Sequence, residues 1–571
     1  MNDSMHQPTS PFRLGVIMFL VMGACAVLVW RAVDLHVFNK TFLQNQGDAR
    51  SLRVDTVVAN RGMITDRHGE PVAISTPVDS VWIHPEIYLK EPQDLSSLAK
   101  LLKLDASKLR AKVLKRKSRE FVYLKRRINP ELAKQVMQLE IPGVSLQREF
   151  RRYYPMGEVG AHIIGFTNVD DMGQEGLELA YNDWLKGEDG QQRVIKDRLG
   201  RVIKPVALIK QVHPGKELRL SLDRRLQYLT YRELKRTVFK HRAKSGSAII
   251  LDAKTGEILS LVNQPSYNPN NRRNLKGSRY RNRAVTDTFE PGSSVKPFTV
   301  AAALESGQFS SRSIIDTSPG RYRVGQSTIR DIRNFGRINL ATVIQKSSNV
   351  GASKVALAIP GENLWRVHNG LGFGMSTGSG YPGEVEGVLT HSAEWREIDQ
   401  ATLAFGYGMA VTPLQLARAY TVLANDGVLL PISFLAQTAV PQGERVLKAK
   451  TVRQLSNMLE KVVTGEGTGS KARIAGYRVA GKTGTTKKTS TDGGYADDRY
   501  ISVFAGMAPA SDPRLVMVVM INEPRDKVYY GGEVAAPVFS KVMAGALRLM
   551  NIAPDEKDYQ SVHMAALGEN K

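Results

Sequence analysis

The pattern of apolar and polar positions changes character along the chain. Leu14 to Trp30, LGVIMFLVMGACAVLVW, is apolar and uncharged throughout. At 1.5 Å rise per residue this run spans about 25 Å, close to the apolar thickness of a bilayer. Phe12 and Trp30 stand at its ends, where aromatic side chains favour the interface. The run predicts one transmembrane helix over residues 12–32. Downstream the pattern turns amphipathic. DLSSLAKLLKLDASKLRAKVLKR (Asp94–Arg116) carries leucines at helical spacing and predicts a helix. The Asp66-Arg-His-Gly turn lies between two extended apolar pieces.

From about Glu217 the signals become those of a larger unit. Leu218–His241 opens as a short strand and continues as a helix that Ser221 or Asp223 caps. Ser245–Asn263, SGSAIILDAKTGEILSLVN, predicts a hairpin. Helical patterns such as Thr412–Gly427 fill the middle. YRVAGKTGT, YISVFAGMAPA and RLVMVVMIN then predict three strands in a row, and Ala535–Asn551 a closing helix. Strands at both ends with helices between predict one antiparallel sheet with a helical lobe beside it, an α+β arrangement. The residues after about 553 read as a loose tail.

Composition adds two constraints. The 571 residues carry 79 Lys and Arg against 55 Asp and Glu, a formal net charge of +24. Such a field favours polyanions, but no basic run has the length of a nucleic-acid arm, and the cations are scattered. Charge does not orient the anchor, because Arg13 precedes it and Arg31 and Lys40 follow it. Cys25, inside the apolar run, is the only cysteine, which excludes an intrachain disulfide and a cysteine-built metal site.

The candidate chemistry lies in three short boxes. Each also occurs once in a place that carries no chemistry: Ser97-Leu98-Ala99-Lys100 on the amphipathic helix, Ser266-Tyr267-Asn268 in a turn, and Lys254-Thr255-Gly256 at the hairpin tip. The other copies form an ordered series. Ser293-Ser294-Val295-Lys296 follows Pro-Gly and opens a helix, so Ser293 and Lys296 share a face. Serine needs an adjacent base to act as a nucleophile, and a lysine serves when burial and a second cation depress its proton affinity. Ser347-Ser348-Asn349 breaks two helical stretches; the Ser347 hydroxyl suits a proton relay and Asn349 a substrate amide. Lys482-Thr483-Gly484-Thr485 opens the strand series. On an edge strand, Lys482 would supply the second cation, Gly484 would permit close approach, and Thr483 and Thr485 would meet a carboxylate.

The stretch GYRVAGKT (Gly476–Thr483) also satisfies the phosphate-loop pattern. A phosphate loop needs a Gly-rich turn followed by a helix. Here Tyr-Arg-Val-Ala favours strand, and TTKKTSTDGGYADD is too rich in breakers to start a helix. The nucleotide reading is rejected.

With the three boxes in order, the sequence resembles the penicillin-binding protein transpeptidases. RGMITDRHGEPVA, RRYYPMGEVGAHIIGFTNVD, PSYNPNN, NRAVTDTFEPGSSVKPF, KSSNVGASK and FGYGMAVTPLQLARAY extend the resemblance to the class B, division-specific (septal) type, from the anchor to Asn551. No stretch resembles the glycosyltransferase domain of class A. The resemblance implies a cytoplasmic tail (1–11), an anchor (12–32), a non-catalytic pedestal (33–215), a periplasmic penicillin-binding domain (216–552) and a C-terminal tail (553–571). It implies Ser293 as acylated nucleophile, Lys296 as its base, and Ser347, Asn349 and Lys482 as their partners. Thr483, Gly484 and Thr485 would line the substrate strand, with the Ser293 and Thr485 N–H groups as oxyanion donors. The implied substrates are peptidoglycan stem peptides ending in D-alanyl-D-alanine, and β-lactams would acylate the same serine. No metal or cofactor is expected. The implied partners are a membrane glycan polymerase and other division proteins, with no nucleic acid. The implied place is the bacterial inner membrane at the division septum.

Two other readings compete. A D,D-carboxypeptidase or β-lactamase would pass the acyl group to water, and Glu384 and Glu386 are formal candidates for a deacylating carboxylate. A division scaffold that binds stem peptides with little turnover would keep the fold without needing the boxes intact.

Overall fold

The computed structural model of the chain describes residues 11–42, 52–196, 202–273, 277–489 and 494–556. Most of the two expected tails therefore lies outside the described residues. The chain forms two compact units that are interleaved along the sequence: Met1–Asn60, Pro77–Arg151 and Gly187–Pro214 make one, and Arg61–Thr76, Arg152–Lys186 and Gly215–Lys571 the other. The expected boundary at 215/216 follows the linear order of the chain. In space two earlier segments join the C-terminal unit.

In the first unit the apolar run is helical over Pro11–Val33, and none of its residues is buried by protein. It is the one helix among the described residues long and apolar enough to cross a membrane. A small core follows, built from Leu98, Leu102, Leu109, Val113, Val122, Leu124, Ile128 and Val136. The helix predicted over 94–116 is two helices, Ser96–Leu102 and Ala106–Leu114. Lys103 adopts φ 52, a left-handed stop, and the Asp105 carboxylate then caps the second helix by accepting from Lys108 N. Leucine spacing alone hid this break, because both helices bury the same stripe.

The second unit is organised by a five-stranded sheet with strands β1 (Ser245–Asp252), β2 (Ile258–Gln264), β3 (Ala480–Thr489), β4 (Tyr495–Ala508) and β5 (Leu515–Asn522). Their order is β2-β1-β5-β4-β3, all neighbours antiparallel, so β3 is an edge. Both faces of the sheet are covered, which explains the continuous apolar runs. Ala248, Ile250, Met517, Val519 and Ile521 face one core with helices α1 (Arg224–Lys240) and α7 (Ala536–Leu549). Ile249, Leu251, Val516, Val518 and Met520 face the other, shared with the helical lobe. That lobe contains α2 (Lys296–Glu305), α3 (Leu340–Lys346), α4 (Asn349–Leu357), α5 (Pro413–Ala424) and α6 (Ala449–Val463).

The two early segments are fastened into this unit by a parallel pair and an ion cluster. Ile64 and Thr65 pair with Leu218 and Arg219. Arg61 Nε and Arg152 Nε donate to the two oxygens of the fully buried Glu178 carboxylate at 2.7 and 2.6 Å. Pro554–Glu556 are not loose, as the sequence had suggested: the Asp555 carboxylate accepts from Arg478 N at 2.7 Å, and Glu556 N donates to Gly476 O at 3.1 Å.

Candidate active site

The turn that carries Ser293 is built by two glycines pressed together. Gly292 has φ +56, and its N–H donates to Gly406 O at 3.1 Å. A Cβ on Gly406 would lie 2.2 Å from Gly292 O, and one on Gly292 would lie 2.2 Å from Thr486 Cγ2. Gly292–Val295 forms a short 3-10 turn that runs into α2, with Pro297 in its first turn, where the missing N–H costs nothing. The Tyr420 hydroxyl, fully buried on α5, donates to Ser294 O at 2.7 Å and holds the turn from below.

The Lys296 side chain is fully buried at the start of α2. Its Nζ lies 3.1 Å from Ser293 Oγ, 2.6 Å from Ser347 O, 3.2 Å from Ser347 Oγ and 2.7 Å from Asn349 Oδ1. Burial first, and then the Lys482 charge, push this amine well below the ordinary lysine range, while Asp331 pulls it upward. Two of its four neighbours, the Ser347 carbonyl and the Asn349 amide oxygen, can only accept. A neutral amine has two N–H donors and one lone pair. In that form both donors would be used on the two acceptors, leaving the lone pair for a serine hydroxyl.

The second box sits between α3 and α4. Ser347 is left-handed, φ 59, and ends α3. Ser348 Oγ accepts from Gly351 N at 2.8 Å and caps α4. Asp331 completes this corner: its carboxylate accepts from Ser348 Oγ at 2.5 Å, Asn349 N at 2.5 Å and Val350 N at 3.1 Å. No motif spacing singled out Asp331. It lies 16 positions before Ser347, and only the chain's fold brings it here.

The third box lies on edge strand β3. Alternation sends Lys482, Gly484 and Thr486 to one face and Thr483 and Thr485 to the other. A Cβ on Gly484 would lie 2.9 Å from Pro291 O, so glycine lets β3 lie against the serine turn. Lys482 is fully buried, and burial pushes its amine down to about 7. It donates to Ser347 Oγ at 3.0 Å, Thr483 O at 3.0 Å and Thr483 Oγ1 at 3.3 Å. Lys482 thus meets Ser347 rather than Ser293. Thr483 Oγ1 lies 2.8 Å from Thr468 Oγ1, and Thr485 Oγ1 accepts from Gly531 N at 2.9 Å.

Two matching family models partition the chain in the same order as these features. The penicillin-binding protein transpeptidase domain matches residues 246–544, across all three boxes. The penicillin-binding protein dimerisation domain matches residues 56–220. The chain belongs to the class B penicillin-binding protein transpeptidases. It is 44% identical over 559 residues to the Escherichia coli K12 peptidoglycan D,D-transpeptidase FtsI, covering 96% of this chain and 94% of that one. It is 39% identical over 546 residues to FtsI of Buchnera aphidicola subsp. Schizaphis graminum, covering 95% and 94%. The transpeptidase domain of Burkholderia pseudomallei penicillin-binding protein 3 superposes with a TM-score of 0.55 at 41% identity, covering 59% of this chain and 98% of that domain.

The other copies of the boxes in this transpeptidase lie on other elements. Ser97 and Lys100 lie on the helix Ser96–Leu102 of the first unit. Lys254–Gly256 is the β1–β2 turn, with Gly256 at φ +75 and Lys254 paired with Asp512. Ser266 Oγ donates to Glu158 O at 2.6 Å. Glu384 is spent on its own loop, accepting from Thr377 N at 2.6 Å and Ser379 Oγ at 2.7 Å. The phosphate-loop match ends in strand β3, not in a helix.

Proposed function

We propose that this peptidoglycan D,D-transpeptidase crosslinks stem peptides through an ester on Ser293. The observation that carries the assignment is the buried Lys296 amine, 3.1 Å from Ser293 Oγ and bonded to both Ser347 and Asn349. Ser293 Oγ attacks the carbonyl of the penultimate D-alanine, and Lys296 takes the hydroxyl proton. The oxygen of the tetrahedral adduct accepts from the N–H groups of Ser293 and Thr485. When the C–N bond breaks, the departing D-alanine nitrogen takes a proton from the chain Lys296–Ser347–Lys482. An acceptor amine then attacks the ester, its proton returns along the same chain, and the Ser293 hydroxyl is restored. Asn349 and edge strand β3 hold the donor peptide as an added strand, and Thr483 and Thr485 receive its terminal carboxylate. The amide broken supplies the free energy for the amide made, so the reaction requires no nucleotide.

β-Lactams acylate the same serine in this reading. The anchor helix holds the protein in the inner membrane, with the chain that follows it in the periplasm. Residues 33–215 serve as pedestal, apart from 61–76 and 152–186, which join residues 216–552 in the catalytic domain. The setting is the division septum, beside a membrane glycan polymerase and other division proteins.

The test labels the full-length protein with a fluorescent penicillin and maps the adduct by peptide mass. The adduct falls on Ser293 and disappears in Ser293→Ala. Pentapeptide substrate with an acceptor amine gives crosslinked product. Tetrapeptide alone, at every acceptor concentration, would mean that water is the acceptor and the enzyme a carboxypeptidase.

A further inference from the structure

We propose that Glu290 is a positioning residue for acylation, fastening the Ser293 turn to the Gly408 loop and to strand β4 at Tyr495. The proposal rests on Ser293 being the acylated residue and concerns how that residue is held.

Glu290 stands three positions before Ser293. One oxygen of its carboxylate, Oε1, accepts from Gly408 N at 2.9 Å and from the Tyr495 hydroxyl at 3.1 Å. Its main-chain oxygen accepts from Thr486 Oγ1 at 3.2 Å. Three segments therefore converge on one residue: the loop whose Gly406 receives the Gly292 N–H, the edge strand of the third box, and the strand that pairs with it. The Tyr407 ring packs edge-on against Tyr495 with centroids 5.2 Å apart, a further tie between the loop and β4.

A glutamate that merely tidied a turn would keep its charge in water. Glu290 is partly withdrawn from solvent, and burial raises its proton affinity. Its partners among the described residues are a backbone amide and a phenol, with no cation to offset the desolvation. The arrangement is explained by what it holds. The turn and β3 each carry one of the two oxyanion donors assigned above, Ser293 N and Thr485 N. Those donors act only when both point at the same oxygen, and a misplacement of about 1 Å costs roughly a hundredfold in rate.

The experiment uses the full-length protein in detergent and follows acylation by a fluorescent penicillin in stopped flow. The concentration dependence separates the binding constant K from the acylation constant k2. Glu290→Ala is expected to lower k2 by about 10- to 100-fold while K changes by less than about threefold. Glu290→Gln, which keeps an acceptor oxygen in place, recovers most of the loss. Tyr495→Phe lowers k2 several-fold, and adding it to Glu290→Ala lowers k2 no further, because the two groups share one network. An unchanged k2 in Glu290→Ala overturns the proposal, as do parallel losses in K and k2 that Gln does not recover. If Glu290→Ala does not fold, Tyr495→Phe decides, and an unchanged k2 there overturns the proposal. Ser293→Ala runs alongside: a label retained in that variant refutes the nucleophile assignment, whatever the Glu290 variants do.

Discussion

Replacing Asp331 by Asn separates the two things this carboxylate does. It accepts three hydrogen bonds at the start of α4, from Ser348 Oγ, Asn349 N and Val350 N. It also holds the Lys296 amine up, against the downward push of burial and Lys482. Loss of a helix cap costs about 1–2 kcal/mol, and a hydrogen bond to a charged acceptor is worth about 1.5–3 kcal/mol. The bonds share one helix end and are not additive, and the Asn amide oxygen keeps at least one of them. The expected loss is about 2–3 kcal/mol, a melting temperature lower by a few degrees for a unit of this size. A frayed α4 also displaces Asn349 Oδ1, which lies 2.7 Å from Lys296 Nζ. The plateau acylation constant should therefore fall about tenfold, as one misplaced positioning group costs. The pH profile moves the other way from a simple loss. In the proposed mechanism acylation needs the neutral amine, and removing the negative charge lowers its proton affinity. The acid limb of the rate profile should therefore extend to lower pH in Asp331→Asn. Thermal melts and stopped-flow acylation across pH 5–9 measure both effects. An unchanged melting temperature, or an acid limb displaced to higher pH, would refute the reasoning.

Lys482→Gln should displace that acid limb to higher pH, opposite to Asp331→Asn, because the Lys482 charge lowers Lys296; the same rate profile reads it. Gly406→Ala puts a Cβ 2.2 Å from Gly292 O at φ +85. It should destabilise by about 2–4 kcal/mol and slow labelling of Ser293, read by melting and by fluorescent penicillin. Arg61→Ala leaves the fully buried Glu178 carboxylate with Arg152 as its one cationic partner among the described residues. It should lower the chemical-denaturation midpoint by an amount equivalent to about 3–5 kcal/mol, whereas an exposed control such as Lys90→Ala should not.

The parts of this molecule that were legible in the sequence are those set by local chemistry. Gly256 and Asp223 marked a turn and a cap that the structure contains. The apolar runs of β1 and β5 announced strands, and the resemblance then fixed the family. The parts that were not legible depend on segments far apart in the chain. Asp331 and Glu290 belong to no spacing pattern, and their partners lie up to 205 positions away. Arg61 and Glu178 meet across 117 positions, so two stretches that read as pedestal in the linear sequence pack in the catalytic unit. Leucine spacing could not reveal the break at Lys103, because a left-handed lysine carries no compositional mark.

The interleaving of the two units sets a timetable for synthesis. Ile64 and Thr65 are made early, but the residues they pair with, Leu218 and Arg219, come about 150 positions later. At about 5–20 residues per second, that delay is on the order of 10–30 s. During it the Ile64–Thr65 strand can pair with Ala73 and Pro71 but lacks its partner on the other side, while the core around Leu98 and Val122 can already close. The catalytic unit thus incorporates some of the oldest residues of the nascent chain only after a younger neighbour has condensed, and the waiting stretch is where a holding chaperone would find its footing.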